Sequence, residues 1–405
     1  MIQNKLEGVW TVGQSVNQVD AHTTVGVDDF DNATLAAVVS SPDCKTVRLM
    51  VSRVGIHSLY YAVHGRRIYW DEYEWRLRQR FDRYGIKKVP KPILSGQVFT
   101  FDGRQVVLTY QSPMERIPVR KGLTLPEAID ELEVIAVRAA KEMWETAGKP
   151  KVVSLLSGGT DSTLSTIALM KAGADVHAIS VGVSPDSFDP YHARLYAEQL
   201  GIPFTFIQLP SETSELHALA YRAIRRIEMV EMSNVMMAMC SQAAVDWAHE
   251  NDRPLLWQGY YADVTLGFEI STFGFGPFNK MVEAGVDPDE AWAIYRQEGT
   301  QHTIPNSIML AKVCRQDTTW RSVFYHPDVR RFVWSMPLAV APAENRKPLF
   351  AGLCDRYIKD GAWHSKKKVG FYTGAGIGTV RRENPVLQDE NLRRIYRTAR
   401  KEFIR

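Results

Sequence analysis

The sequence predicts an α/β protein built around a doubly wound parallel sheet, with a smaller α+β domain before it. Three observations lead to this prediction. After residue 150, short apolar runs alternate with segments of helical spacing, the pattern of parallel strands joined by crossover helices. Before residue 111, alternating strands and tight-turn signals indicate antiparallel pairs. Between them, residues 111–122 contain two prolines and end with basic residues, which marks a boundary. We therefore predict two domains, residues 1–120 and 121–405.

Composition limits the classes of protein to consider. The chain has 405 residues, 45% of them hydrophobic, which is ample for domain cores. Its net charge is only +3 and its densest basic run is 366–368, so we predict no nucleic-acid partner. The four cysteines lie far apart without CxxC spacing, which predicts free thiols in a reducing compartment. No segment resembles a membrane span or a secretory leader, so we expect a cytoplasmic protein without a membrane partner.

The first domain is predicted to be antiparallel. Its alternating segments include one pair that flanks a turn at His64 and Gly65 and another that meets across Asp102 and Gly103, a strong hairpin signal. A helix over residues 72–84 separates the two hairpins. The predicted strands are residues 46–52, 58–63, 67–70, 98–101 and 105–110.

The second domain opens with a helix. Thr124 and Glu127 form a predicted capping box with Pro126 in the first turn. The apolar face of this helix is Ile129, Leu132, Ala136, Ala139 and Met143. The elements predicted after it are a strand at 152–156, a helix whose core face contains Leu164, Ile167, Ala168 and Met170, a strand at 174–183, a helix at 189–200, a strand at 204–209 and a helix at 232–249.

The turn between the first of these strands and its helix carries the sequence SGGTDS, residues 157–162. Gly158 and Gly159 allow a tight turn and close approach to an anion, and the following helix directs N–H groups and its positive end to the same place. Asp161 is expected to act as a magnesium ligand beside phosphates. The alternative is a glycine-rich turn with a capping Ser or Asp. The predicted nucleotide-binding residues here are Leu156, Ser157, Gly158, Gly159, Thr160, Asp161 and Ser162.

This hexapeptide resembles the pyrophosphate loop of the ATP pyrophosphatase superfamily, whose fold is of the adenine nucleotide α-hydrolase type. Asparagine synthetases, β-lactam synthetases and tRNA-thiolating enzymes all carry it. The resemblance implies that ATP is bound with Mg²⁺, that a substrate oxygen attacks the α-phosphorus, and that pyrophosphate leaves. Adenine is then expected between Leu156 and the end of the next strand at Val181.

A second segment, QGYYADV at 258–264, resembles the TGYGSDI stretch of β-lactam synthetases. The resemblance implies that Gly259 lines the nucleotide site, that Tyr260 is the catalytic tyrosine, and that Asp263 holds magnesium with Asp161. A loop-capping carboxylate and a packed aromatic are the alternative readings of Asp263 and Tyr260. The glutamate that orients the tyrosine in that family has no match. Ser307 stands in its place, and whether Glu298 or Asp317 substitutes is left open.

A third segment, KVGFYTGAG at 368–376, resembles KLGVHEGSG of β-lactam synthetases, with Gly370, Gly374 and Gly376 in register. The resemblance implies that Lys368 is catalytic and stabilises the charge that develops on the acyl group. The alternative is that the three consecutive lysines form only a solvated run.

The first domain also resembles a known family, the glutaminase-like (Ntn-type) domain of asparagine synthetases, through Gly55 and the run Leu59, Tyr60, Tyr61 and Ala62. That family uses an N-terminal cysteine as its nucleophile. This chain begins Met1-Ile2, and its first cysteine is Cys44. We therefore expect a non-catalytic scaffold rather than a source of ammonia from glutamine.

Together these resemblances imply an AMP-forming carbon–nitrogen ligase, closest to β-lactam synthetase-like enzymes. Its expected partners are ATP, Mg²⁺, a small-molecule or peptide carboxylate and an amine acceptor on a second or on the same molecule. The alternatives are an ammonia-dependent asparagine synthetase, a peptide macrolactam (lasso-type) cyclase, a tRNA-thiolating enzyme and a non-catalytic binding protein. The oligomeric state is left open, with a homodimer as one alternative.

Overall fold

The computed structural model of the chain describes residues 7–21, 35–52, 58–110, 116–266, 276–299, 309, 312–314, 319–340, 347–364, 371–378 and 384–404. Within these ranges, none of the helices combines the length and apolar character needed to cross a membrane.

The N-terminal part consists of two antiparallel sheets and one helix. One sheet has the order β1-β6-β5-β7 and the other β2-β3-β4-β8-β9. Buried side chains from both sheets, among them Trp10, Leu49 and Phe99, form one apolar core between them. The elements are β1 (Gly8–Thr11), β2 (Asn17–Ala21), β3 (Leu35–Ser40), β4 (Val47–Val51), β5 (Leu59–His64), β6 (Arg67–Asp71), α1 (Glu74–Arg83), β7 (Lys91–Ile93), β8 (Gln97–Phe101) and β9 (Val106–Tyr110).

The remainder of the chain is organised on a parallel sheet of five strands. The helices α2 (Leu125–Thr146) and α3 (Thr160–Lys171) flank its first strand, and the chain then alternates between strands and helices. Its elements up to residue 266 are β10 (Val152–Leu155), β11 (Val176–Gly182), α4 (Phe188–Leu200), β12 (Phe204–Gln208), α5 (Thr213–Ile227), α6 (Met232–Glu250), β13 (Leu255–Trp257) and α7 (Ala262–Leu266).

The C-terminal portion contributes one more strand and several helices. These are α8 (Gly276–Glu283), α9 (Pro288–Gly299), β14 (Thr319–Arg321), α10 (Pro327–Trp334), α11 (Pro348–Cys354), α12 (Phe371–Gly374) and α13 (Asp389–Ile404). Helix α11 packs against α2 and α3, and α13 packs against α1 and α5.

The strand order of the parallel sheet explains where a ligand can bind. The order is β12-β11-β10-β13-β14, and every pair is parallel. From β10 the chain moves outward through β11 and β12, and it then returns to the other side of β10 as β13. The order therefore reverses between β10 and β13. In sheets of this kind, the crevice at the carboxyl ends of two such strands is the usual ligand site.

The two parts of the chain meet at a buried ion pair. The carboxylate of Glu228 accepts the backbone N–H groups of Glu74 (3.0 Å) and Trp75 (2.9 Å) at the start of α1. The Nζ atom of Lys312 donates to the same carboxylate at 2.9 Å, and both side chains are almost fully buried. The Trp75 ring also contacts the ring of Tyr396 on α13 at 5.3 Å between centroids. A helix N-terminus of one part is thus capped by a carboxylate of the other.

Most of the predicted elements are present. The helix predicted at 72–84 is α1, the hairpin across Asp102 and Gly103 joins β8 to β9, and the capping box of Thr124 and Glu127 is formed. The whole predicted apolar face of α2 is buried. In α3, Leu164, Ile167 and Ala168 are buried, whereas Met170 is only half-buried. The α/β fold class with a parallel sheet is therefore confirmed, while Gly55 lies outside the described residues.

Candidate active site

The SGGTDS segment forms the turn from β10 into α3, as predicted. Its hydroxyl groups bond to one another and to the turn's own backbone: Ser162 Oγ lies 2.9 Å from Ser157 Oγ and 3.0 Å from the Ser157 amide nitrogen. The amide of Gly159 donates to Ser157 Oγ at 3.2 Å. These hydrogen bonds hold the shape of the turn, and the N-terminus of a 12-residue helix lies at its end.

The two glycines of this turn are not required by a left-handed backbone, and their close approach to an anion stays a prediction. Neither has a positive φ, and Gly159, the N-cap of α3, has φ −96° and ψ 155°, which other residues also adopt. Gly158 is instead constrained by space, because a Cβ there would lie 2.8 Å from the Phe188 ring and 3.0 Å from the His192 Cβ atom. The turn is thus packed against the first turns of α4.

The segment after β13 docks on this turn. A Cβ at Gly259 would lie 2.3 Å from the amide nitrogen of Ser162, so the two backbones are in direct contact. Ser165 Oγ donates to the carbonyl of Gln258 at 2.9 Å, and the indole N–H of Trp257 donates to the carbonyl of Ser165 at 2.9 Å. The resemblance placed these two segments in one site, and the structure brings them together across the point where the strand order reverses.

The two tyrosines of this segment have different surroundings. Tyr261 is buried, its ring stacks on Tyr325 at 4.2 Å, and its φ of 77° is a left-handed value that non-glycine residues rarely adopt. Tyr260 is only half-buried, and its carbonyl accepts the Ser322 hydroxyl at 2.6 Å. The strained backbone at Tyr261 lets one ring enter the core while its neighbour stays at the surface of the site. Of the two, Tyr260 is the one that a substrate could reach.

Asp161 and Asp263, the two predicted metal ligands, converge on a third residue. Both form ion pairs with the ammonium of Lys347, with 2.5 Å between Nζ and Oδ1 of Asp263. The Lys347 side chain is 6% exposed, while the two aspartate side chains are 24% and 30% exposed. The two carboxylates therefore contact the same ammonium group, which is buried, and both remain partly accessible to solvent.

Lys347 was not predicted as a site residue. Burial lowers the pKa of its ammonium, but the charges of Asp161 and Asp263 outweigh this, so the pKa lies above the usual value and the group stays charged. The sequence does contain a signal, since Lys347 is the N-cap of α11 and a cation is unfavourable at a helix N-terminus. A buried lysine at such a position needs anionic partners from elsewhere in the chain.

These residues fit a magnesium ion. Mg²⁺ is usually held by one or two carboxylates, with phosphate oxygens and water completing its octahedron. Asp161 and Asp263 lie close enough together to bind the same cation, as their shared ammonium partner shows. Within the described ranges, no group of three or more His, Cys, Asp or Glu side chains is placed to hold a metal ion.

Gly374 and Gly376, which follow Lys368 in the sequence, are packed beside the same turn. A Cβ at Gly374 would lie 2.4 Å from a carboxylate oxygen of Asp189, and one at Gly376 would lie 2.5 Å from Val183. The amide of Val183 donates to the carbonyl of Ala375 at 3.0 Å. This segment is therefore anchored at the carboxyl end of β11, and Asp189 connects it to Gly158, whose N–H donates to the Asp189 carboxylate.

The remaining predicted residues differ in how far the structure describes them. Lys368 and Gly370 lie outside the described residues, and so do Ser307 and Asp317. Glu298 belongs to the last turn of α9, but its side chain is not described. The residues predicted to contact adenine, Leu156 and Val181, are both buried at the ends of adjacent strands, and Leu156 donates its N–H to the Ile179 carbonyl at 2.9 Å.

Part of the chain is similar to a known protein family. Residues 145–247 match the family model described as asparagine synthase. No curated protein matches the chain. Among solved structures, the chain is similar to the U34-tRNA thiolase NcsA from Methanococcus maripaludis with its [4Fe-4S] cluster, at 14% identity and a TM-score of 0.31 over 71% of this chain and 89% of that one.

The span that matches asparagine synthase runs from the end of α2 through most of α6 and so contains the SGGTDS turn. It includes Asp161, but it ends before Asp263, Lys347 and the residues that would act on a second substrate. This similarity to asparagine synthase indicates an ATP-utilising enzyme of the ligase type.

Proposed function

We propose that the chain is an AMP-forming, ATP-dependent ligase that activates a substrate carboxylate as its adenylate and transfers the acyl group to an amine. The observation that carries this proposal is the convergence of Asp161 and Asp263 beside the N-terminus of α3. Two carboxylates next to an anion-binding helix terminus are suited to a magnesium–triphosphate complex.

In the first half-reaction, the SGGTDS turn would bind the pyrophosphate portion of ATP. The first-turn amides of α3 and the Ser157, Thr160 and Ser162 hydroxyls are the donors available there. Asp161 and Asp263 would hold the magnesium ion, which neutralises phosphate charge as pyrophosphate leaves. Adenine would lie at the ends of β10 and β11, where backbone groups near Leu156 and Val181 can recognise its edge.

In the second half-reaction, an amine attacks the acyl carbon and AMP departs. Tyr260 is half-buried beside the phosphate turn, and its hydroxyl oxygen would accept the amine proton as its own proton passes to solvent. Lys368 would stabilise the developing oxyanion. The segment that follows Lys368 supports this role, because Gly374 and Gly376 anchor it at the end of β11.

The proposal also states which kind of amine accepts the acyl group. Tyr260 stands where asparagine synthetases have an acidic residue, which favours an amine-bearing substrate over free ammonia. We therefore propose a small-molecule or peptide carboxylate whose acceptor amine lies on a second molecule or, as in β-lactam synthetases, on the same one. The N-terminal part would serve as a scaffold. Its helix α1 is held by Glu228 of the ligase part, whose carboxylate accepts the N–H groups of Glu74 and Trp75.

Thiolation chemistry is less well supported by the cysteines. Cys240, Cys314 and Cys354 are buried, and burial raises the pKa of the Cys240 and Cys354 thiols, which makes both poor nucleophiles. Cys44 is partly exposed, but it lies between β3 and β4 in the N-terminal part. Cys354 Sγ lies 3.6 Å from the Thr160 carbonyl oxygen, beside Asp161, but it is fully buried.

A screen for ATP–pyrophosphate exchange tests the proposal. The purified chain is incubated with ATP, Mg²⁺, labelled pyrophosphate and one candidate acid at a time, including amino acids, β-amino acids and peptides. The proposal predicts exchange that depends on the acid and is lost in Asp161→Asn. If ATP is instead cleaved to ADP and phosphate, whatever acid is present, the proposal is wrong.

A further inference from the structure

Lys347 occupies the point at which the two proposed metal ligands meet. Its Nζ atom contacts carboxylate oxygens of both Asp161 and Asp263, and its side chain is 6% exposed. Helix α11, which begins immediately after Lys347, packs against α2 and α3 and so fixes the lysine backbone on the protein side of the site. The ammonium is therefore a built part of the site.

This arrangement has an electrostatic reason. Two carboxylates that face one point repel each other, and a single ammonium between them removes most of that repulsion. A cation that entered between the aspartates alone would have to displace the ammonium, which would then remain buried without a charged partner. Leaving a buried charge uncompensated is strongly unfavourable.

A triphosphate changes this balance, because it brings new negative charge to the same place. The ammonium can leave the aspartates for phosphate oxygens while the magnesium ion takes the carboxylates. Each cation then keeps an anionic partner. Neither Mg²⁺ alone nor a nucleoside monophosphate supplies both parts of this exchange.

We propose, resting on the function proposed above, that Lys347 is an internal counter-ion that must be exchanged for Mg²⁺, so that the site accepts a divalent cation only together with a polyphosphate. Lys347 is thus a specificity-determining residue for metal–triphosphate complexes. By linkage, the nucleotide and the cation each strengthen the binding of the other by the same factor.

Cation binding in the absence of turnover tests the proposal. Mn²⁺ serves as the probe, and its binding to the protein is measured by electron paramagnetic resonance with and without α,β-methylene-ATP, which resists cleavage at the α-phosphorus. Lys347→Met removes the ammonium at similar side-chain length. Lys359→Met is the matched control, because Lys359 is an exposed lysine on the segment after α11.

We expect wild type and Lys359→Met to bind Mn²⁺ weakly without nucleotide and at least about tenfold more tightly with it. Lys347→Met should bind Mn²⁺ at least about tenfold more tightly than wild type without nucleotide, and the added effect of nucleotide should shrink. Equal nucleotide-free binding by wild type and Lys347→Met would overturn the proposal. So would a tight Mn²⁺ site in nucleotide-free wild type, a result that stands even if Lys347→Met does not fold.

A further variant separates this proposal from the function on which it rests. Asp263→Asn should weaken Mn²⁺ binding in the presence of α,β-methylene-ATP. If it does so while Lys347→Met behaves as wild type, only the counter-ion role fails. If Asp263→Asn has no effect on Mn²⁺ binding with the nucleotide, the proposed metal site itself is wrong.

Discussion

The backbone of Gly259 lies directly against that of Ser162, so that a Cβ at position 259 would stand 2.3 Å from the Ser162 amide nitrogen. This contact joins the segment that carries Tyr260 and Asp263 to the turn that carries Asp161. The relative placement of the two aspartates therefore depends on the absence of a side chain at residue 259.

Gly259→Ala should separate these two segments. We expect ATP–pyrophosphate exchange to fall by about a hundredfold or more, since displacements near 1 Å have effects of that size on positioned groups. Gly378→Ala is the control, because a Cβ at Gly378 meets nothing within 4 Å and its φ is not positive. Exchange at the wild-type rate in Gly259→Ala would show that the contact can relax without consequence.

The Asp189 carboxyl should make stability depend on pH. Burial raises its pKa to about 7, although the hydrogen bond from Gly158 acts in the opposite direction. The folded chain then holds this proton up to a higher pH than the unfolded chain, so the contribution of Asp189 to the free energy of unfolding falls as pH rises from about 4 to 7. Over the full range the loss could reach an upper bound of about 4 kcal/mol.

Asp189→Asn keeps an oxygen that can accept from Gly158 but removes the titration. We expect this variant to be more stable than wild type above pH 7, and its urea unfolding to lack this part of the pH dependence. Wild-type and variant stabilities that run parallel between pH 4 and 8 would contradict this role for Asp189.

The buried ion pair of Glu228 and Lys312 should stabilise the folded chain where its two parts meet. Lys312→Met would leave Glu228 buried without its cation, and urea unfolding should show a loss of about 3–5 kcal/mol. The double variant Glu228→Gln with Lys312→Met should recover part of that loss. Lys149→Met, which removes an exposed pair with Glu145, should cost about 1 kcal/mol or less. Equal losses in the free energy of unfolding for Lys312→Met and Lys149→Met would contradict a stabilising role for the buried pair.

Lys368 is predicted to act after adenylation. Lys368→Ala should keep much of its ATP–pyrophosphate exchange while amide formation falls by roughly two to four orders of magnitude. Tyr260→Phe should also slow amide formation, but by a smaller factor, because water can partly replace a general base. Loss of exchange and of ATP binding together in Lys368→Ala would place this residue on the phosphates instead.

The sequence was informative where interactions are local. The turn 157–162, the capping box at Thr124 and the α2 face all depend on residues within a few positions of one another, and each is formed. Strands of three residues were not predicted, because β13 and β14 are too short to show a period. Their place in the sheet follows from pairing with β10 and with each other.

Lys347 shows why the rest of the site could not be read from the sequence. Its partners are 186 residues earlier, at Asp161, and 84 residues earlier, at Asp263. No local pattern encodes such a contact, and only the unfavourable position of a lysine at a helix N-terminus hints at it. The same holds for Lys312, which pairs with Glu228 across a separation of 84 residues.

The central claim, that a substrate carboxylate attacks the α-phosphorus of ATP, can be tested by following one oxygen atom. The acid found in the exchange screen is labelled with ¹⁸O in its carboxylate and converted with ATP and its amine acceptor, and the nucleotide product is analysed by mass spectrometry. Our account predicts one ¹⁸O atom in AMP, because the attacking oxygen stays on phosphorus when the amine displaces the nucleotide. Label found in inorganic phosphate together with ADP, or AMP without label, would contradict it.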